Sequence, residues 1–233
     1  MMSDKKINIS LYLSIVIRFT VFILTMGGFF LYLSMKTFYW QGWVFFGIHL
    51  TFFLLFMFLF RDKMDLMMER IKPGPGIKEW DKIFFAFYVP LNLTIFILSP
   101  LDGGKFHWSP DLPLYIYILA YAAYLSGVFV TVFAMWMNQF FSSIVRIQKE
   151  RGHYVITDGP YKVVRHPGYS GAILLLVSMP IILGSLYGLI PAFLVVILLI
   201  IRTALEDKTL QHELEGYKGY TKQTKYRLLP GVW

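Results

Sequence analysis

The apolar region from Tyr169 to Ala204 is too long to cross a bilayer once, and it is broken near its middle by Gly184, Ser185 and Gly188. A membrane helix uses about 20 mostly apolar residues, because each residue rises about 1.5 Å through about 30 Å of hydrocarbon. The region therefore predicts a helical hairpin, Gly171 to Leu183 and Leu186 to Ala204, with its turn at the far surface. Ser10 to Leu33, Gly42 to Phe60 and Leu114 to Met137 meet the same requirement singly. Ile83 to Leu98 is shorter and contains Pro90, which predicts a kink. The fold expected is all-α, a polytopic transmembrane helix bundle of about six spans whose last two form the hairpin.

With 57% apolar and 15% charged residues, the chain of 233 has more apolar surface than a soluble core of this size would use, so the surplus faces lipid. Its 22 Phe, 15 Tyr and 6 Trp suit helix interfaces and the headgroup level. The absence of Cys excludes disulfides, a thiolate nucleophile and Cys-ligated metal, and no metal-ligand constellation is visible. With six spans, 19 of the 22 Lys and Arg fall on one side, Lys36 and Lys105 on the other, and Arg18 inside the first span. The positive-inside rule then places both termini and the long basic loops in the cytoplasm, at the cell membrane. Anionic headgroups account for the net charge of +8 without a nucleic-acid partner. Lys5 and Lys6 precede the first segment, which has no small-residue cleavage site and is expected to be a retained anchor. Arg18, about two turns inside it, either serves function or snorkels to the surface.

Met64, Met67, Met68 and Ile71 recur at helical spacing, with Arg61, Asp62, Asp65 and Glu69 on the other face. They predict a short helix that lies in the membrane interface or packs on the bundle. Pro73-Gly74-Pro75-Gly76 ends it. His49, in an apolar span, is expected to be a hydrogen-bonded core histidine, and Asp102-Gly103-Gly104-Lys105 a turn on the far side.

Polar residues cluster at 138–171 and 202–233, which flank the hairpin on one side of the membrane and can build one site. The chain thus divides into a bundle of four spans, 1–137, and a site-bearing region, 138–233. Ser143 to Gln148 and His153 to Thr157 suggest short extended runs around a Lys149-Glu150-Arg151-Gly152 turn, and Asp158-Gly159-Pro160-Tyr161 turns the chain back. Arg165-His166-Pro167-Gly168-Tyr169-Ser170-Gly171 opens an apolar helix. Pro167 suits a first turn, and the remaining free N–H groups suit the carboxylate of an amino-acid-bearing cofactor. The alternative is that Arg165 and Tyr169 anchor the helix at the headgroups and His166 caps it. Arg202, Glu206 and Glu213 share a helix face, with Asp207 adjacent. They form either a snorkelling salt bridge or a ligand site, in which a carboxylate neutralises an ammonium or sulfonium and a guanidinium orients an acceptor carboxylate.

Together these segments resemble the isoprenylcysteine carboxyl methyltransferase family and its bacterial and archaeal relatives. The family pattern runs His-x-Leu-Val-x-x-Gly-x-Tyr, three residues, Arg-His-Pro-x-Tyr-x-Gly, an apolar hairpin, Arg-x-x-x-Glu-Glu, and a tail with paired Tyr and a late Pro. This chain supplies His153-Tyr154-Val155-Ile156, Gly159-Pro160-Tyr161, Arg165 to Gly171, Arg202 to Asp207, Tyr217, Tyr220 and Pro230. The resemblance spans residues 138–233.

It implies an integral-membrane enzyme that transfers methyl from S-adenosyl-L-methionine to the carboxylate of a lipophilic, isoprenylcysteine-like acceptor. The implied cofactor residues are His153, Tyr154, Val155, Ile156, Tyr161, His166, Pro167, Gly168, Tyr169 and Glu206, while Arg202 orients the acceptor. A family Gln falls at Arg146, with Gln148 two residues later as its stand-in, and Asp207 replaces the second Glu. A carboxylate acceptor needs no general base, whereas a phospholipid amine or a small thiol would need His166 or Glu206. Rival readings are a nicotinamide-dependent membrane sterol reductase of similar C-terminal arrangement and a non-catalytic lipid-binding protein. Membrane lipids are expected partners, and composition leaves the oligomeric state open.

Overall fold

The computed structural model describes residues 39–233 and, before them, individual helical positions between 13 and 32. Much of the expected first span, with Lys5, Lys6, Arg18 and Lys36, lies outside the described residues. The elements are α1 Trp40–Leu59, α2 Met64–Ile71, α3 Glu79–Pro100, α4 Leu114–Met137, α5 Pro167–Ile182, α6 Leu189–Glu213 and α7 Tyr217–Gln223. A π-helical turn, Leu101–Phe106, prolongs α3. No strand occurs among the described residues, so their regular structure is helical throughout. Helices satisfy their own backbone groups, which hydrocarbon cannot do for them.

Four of these helices are long and apolar enough to cross a membrane: Trp40–Leu59, Glu79–Phe106, Leu114–Met137 and Leu189–Glu213. Pro167–Ile182 is a shorter apolar helix and forms the first arm of the expected hairpin. The third of the expected spans is longer than Ile83 to Leu98, because Asp81 is wholly buried in protein and its charge does not end the helix. Pro90 is accommodated within α3, where Thr94 Oγ1 donates to the Pro90 carbonyl at 2.9 Å.

The hairpin turn depends on Gly184, whose φ of 69° favours glycine. Asp102 holds the turn from outside. Wholly buried, it accepts hydrogen bonds from Ser109 N (2.7 Å), Ser109 Oγ (2.6 Å) and Ser185 Oγ (2.6 Å). Residues 102–105 are therefore part of a helical extension that fastens the hairpin, not a plain turn. A Cβ on Gly103 would come within 2.9 Å of the Gly184 carbonyl oxygen, so a side chain there would push the turn away.

The main core lies where α3, α5 and α6 meet, around Ile95, Ile182, Leu183, Ala192 and Val195. The most extensive helix contact is between α4 and α5, and it joins the N-terminal bundle to the site-bearing region. Two glycines permit that contact: a Cβ on Gly127 would lie 2.8 Å from the Gly171 carbonyl, and one on Gly171 would lie 2.6 Å from the Gly127 carbonyl. Small residues of this kind bring membrane helices close enough for dispersion to act between backbones. Leu66 and Met67 of α2 pack with Met57, Phe60 and Met135, so α2 lies against the bundle. His49 donates through Nδ1 to the Phe45 carbonyl at 2.7 Å and pairs with Tyr124, as expected of a core histidine. Replacing Gly171 with Ala should force α4 and α5 apart and cost about 1–3 kcal/mol, measured as a lower unfolding midpoint in detergent.

Candidate active site

One cavity of about 390 Å³ opens between the ends of α2 to α7 and the irregular segment 138–156. It falls within the roughly 300–1,000 Å³ typical of small-molecule sites. Of the residues that the family resemblance implies, His153, Tyr154, Val155, Ile156, Tyr161, His166, Gly168, Tyr169, Arg202 and Glu206 line it together. Pro167 and Gln148 are not among the lining residues. Pro167 begins α5, where its missing N–H has no helical partner to lose. Gln148 is wholly buried; it donates through Nε2 to the Phe140 carbonyl at 2.7 Å and accepts from Arg151. Its amide is thus engaged within the loop, away from the cavity lining.

The expected runs on either side of residue 150 form no strand, and the turn between them is present. Lys149–Arg151 is a single 3-10 turn, closed by Gly152 at φ 63°. Backbone groups here pair with side chains in place of a neighbouring strand: Val145 N donates to Asp81 Oδ2 at 2.8 Å, and Gln148 N donates to His153 Nδ1 at 3.2 Å. That last bond fixes the neutral imidazole with its proton on Nε2. The His153 ring stacks on Phe140 at 4.4 Å, and Tyr154 meets the same ring edge-on. Burial, with the charges of Arg146 and Arg151, lowers the His153 pKa from 6.5 to about 4.

Arg165 and His166 are buried, not spread at a surface. Their backbone N–H groups donate to the carbonyls of Tyr226 and Arg227, both at 2.9 Å, which binds the C-terminal tail to the start of α5. The centre of this region is Asp207, wholly buried on α6. Arg165 grips it with Nε at 2.7 Å and Nη2 at 3.0 Å. Arg227 Nε (2.9 Å), Gln211 Nε2 (2.8 Å) and Tyr217 OH (3.1 Å) also donate to it, and His166 Nε2 stands 3.4 Å away. Burial and Asp207 together keep Tyr217 protonated far above its ordinary range. The neighbouring Glu206 instead faces the cavity, where it accepts a 2.5 Å hydrogen bond from Tyr169 OH. The Tyr161 phenol receives Asn138 Nδ2 at 3.1 Å, and its carbonyl receives Tyr220 OH at 2.6 Å.

Arg202 does not pair with Glu206. Its Nε lies 2.8 Å from Asp81 Oδ1, and Nη2 donates to Asp81 Oδ2 at 3.2 Å and to the Ser143 carbonyl at 2.8 Å. The guanidinium also lies over Phe84 at 4.5 Å and Tyr169 at 5.5 Å. Glu213, expected on the same face, pairs with Lys78 at 2.7 Å and is not among the lining residues. At the start of α5, Pro167 has no N–H, and those of Tyr169 and Ser170 go to the His166 carbonyl at 3.0 and 3.2 Å. Gly168 is left to offer one. A Cβ on Gly168 would come 2.6 Å from the Phe141 ring, so glycine lets that ring cover the helix end.

The model of the isoprenylcysteine carboxyl methyltransferase family matches residues 116–212. This stretch belongs to that family. The matched region runs from α4 through the loop and hairpin to residue 212, and so contains every lining residue of the cavity from Thr131 to Leu210. No curated protein matches the chain. Asp81 and Arg70 lie outside the family match and belong to no motif, whereas Tyr217, Tyr220 and Arg227 also lie outside it but in the tail that carries the resemblance. The only sequence signal for Asp81 is an acid at the mouth of an apolar helix. For Asp207 it is the second acidic position after Arg202.

Two outcomes follow from this geometry. Replacing Asp207 with Asn leaves two guanidinium groups without their carboxylate and should cost about 3–5 kcal/mol, read from unfolding in mixed micelles. His153 takes up its proton near pH 4 in the folded chain but near 6.5 when unfolded. Stability should therefore fall as pH drops from 6.5 towards 4 and lose nothing more from this residue below that; an imidazole NMR titration checks the midpoint.

Proposed function

We propose that the chain is an integral-membrane methyltransferase that uses S-adenosyl-L-methionine and methylates the carboxylate of a lipophilic, isoprenylcysteine-like acceptor. The observation that carries the reading is the position of Glu206, a carboxylate in the cavity wall fixed by Tyr169, within a region matched to a methyltransferase family. The donor set suits the cofactor. Glu206 offers a negative charge to a sulfonium or ammonium, the Gly168 N–H and the start of α5 suit its carboxylate, and Phe140, His153 and Tyr154 present ring faces and edges to a base. The bound cofactor supplies an electrophilic methyl group on a positively charged sulfur.

The remaining work falls to the protein. Tyr169 orients Glu206 so that its charge faces the cavity and not bulk water. Asp81 and the Ser143 carbonyl fix Arg202, whose Nη1 has no protein partner and is free to donate to an acceptor oxygen. The apolar side chains of Phe85, Leu199 and Leu210 keep water from the reacting atoms. A carboxylate acceptor is favoured over an amine or thiol because both groups that could serve as a base are already engaged: His166 Nε2 faces Asp207 and Tyr217, and Glu206 holds Tyr169. An ionised carboxylate needs alignment rather than deprotonation. The sequence bias that puts 19 of 22 Lys and Arg on one side of six expected spans supports a cytoplasmic cavity at the cell membrane, with a lipophilic acceptor entering from the bilayer.

Calorimetric titration of the detergent-purified protein with S-adenosylhomocysteine should show saturable binding, at least about tenfold weaker in Glu206→Ala, since a hydrogen bond to a charged group contributes about 1.5–3 kcal/mol. Binding of NADPH in its place would move the assignment to a reductase.

A further inference from the structure

Four arginines line the cavity: Arg70, Arg146, Arg165 and Arg202. Three of them are neutralised. Arg146 meets Glu69 at 2.8 Å and Glu150 at 2.7 Å, Arg165 meets Asp207 at 2.7 Å, and Arg202 meets Asp81 at 2.8 Å. Arg70, in the last turn of α2, has no carboxylate within 4 Å among the described residues and no side-chain hydrogen bond. Its guanidinium carbon lies over the Phe141 ring at 5.1 Å. It is set close enough to Arg202, Tyr88 and Tyr169 to feel their charges, and burial lowers its pKa from the ordinary guanidinium value, with Arg202 adding to the effect.

A guanidinium cannot shed its proton at any ordinary pH, so a partly buried one without a carboxylate is an unbalanced positive charge. The folded chain tolerates it at the mouth of a cavity whose other cations are already matched. What restores the balance is an anion brought in from outside, and a planar carboxylate fits the guanidinium fork with two parallel hydrogen bonds. Glu69, the neighbouring acid, cannot serve, because Arg146 and Ser142 already occupy both of its oxygens or share them.

We propose that Arg70 is the residue that binds the anionic group of the acceptor, so that α2, outside the family-matched region, makes the cavity selective for a negatively charged lipophile; this rests on the methyltransferase reading of the cavity. Arg202 then lies beside the same anion as a donor already pinned by Asp81, and Arg70 supplies the uncompensated charge. Selection by charge is a property of binding and needs no turnover to be seen.

The test is calorimetric titration of S-farnesyl-N-acetylcysteine, and of its uncharged amide, into the purified chain saturated with S-adenosylhomocysteine. The wild type should prefer the acid by about tenfold or more, the worth of one charge-assisted hydrogen-bond pair. Arg70→Gln should reduce that preference to within about twofold while S-adenosylhomocysteine affinity stays unchanged, and Arg70→Lys should restore part of it. Unchanged cofactor affinity also shows that the variants are folded. A preference for the acid that survives in Arg70→Gln, or no preference in the wild type, overturns the assignment. So does loss of S-adenosylhomocysteine binding in Arg70→Gln at an unaltered acid preference, which would place the cofactor's own carboxylate there. Displacement of the acid by phosphatidylglycerol at matching affinity would reassign Arg70 to a lipid headgroup. If the wild type discriminates acid from amide yet binds no S-adenosylhomocysteine when titrated alone, the methyltransferase reading fails and the anion site stands.

Discussion

A single buried carboxylate, Asp207, organises the polar half of this protein. Placed wholly out of water on α6, it would be intolerable as an isolated charge. It is matched by Arg165 from the segment before α5, Arg227 from the tail, Tyr217 from α7 and Gln211 one turn along its own helix. Pieces distant in sequence are thereby held at one point, and the low dielectric that makes the charge costly alone makes each of these bonds strong. Because Asp207 and Glu206 are consecutive on a helix, fixing the first sets the direction of the second. Glu206 consequently faces the cavity with Tyr169 against it.

A second buried pair performs the same task for the opposite wall. Asp81 at the start of α3 engages Arg202 on α6 and the Val145 N–H, while Arg202 reaches the Ser143 carbonyl. The irregular segment is thus tied at residues 143 and 145 to α3 and α6. At the far end of the bundle Asp102 binds the hairpin turn through Ser109 and Ser185. Three wholly buried acids, Asp207, Asp81 and Asp102, thus tie these segments together. Between those points dispersion suffices, as at Gly127 and Gly171, where missing side chains let α4 and α5 meet.

The electrostatic result is a cavity whose lining cations are balanced by protein carboxylates, save for Arg70 among the described residues. Glu206, held by a neutral phenol, keeps its charge available on the other side. A site with one open negative group and one open positive group favours a cationic and an anionic partner together, which matches the charges of a sulfonium donor and a carboxylate acceptor. Apolar walls strengthen both attractions by excluding water.

Apolar periodicity and length by themselves determined the helical class, the membrane-spanning stretches at Gly42 to Phe60 and Leu114 to Met137, and the hairpin broken at Gly184, because hydrocarbon thickness imposes a fixed count of apolar residues. The motif spacing likewise points to His153, Tyr161, His166, Tyr169, Arg202 and Glu206 as one group, and they line one cavity. Sequence could not show which acid meets which base. Arg202 and Glu206 stand four apart on one helix and look paired, yet the partner of Arg202 is Asp81, 121 residues away. Gln148 reads as a ligand-binding amide and its amide donates to the Phe140 carbonyl, and the runs around residue 150 read as strands but form none, with the Val145 N–H given to Asp81. Only the tertiary structure decided these matters, since long-range pairing of buried charges depends on which helices pack together, and that is settled by shape complementarity over the whole bundle and not by any local pattern.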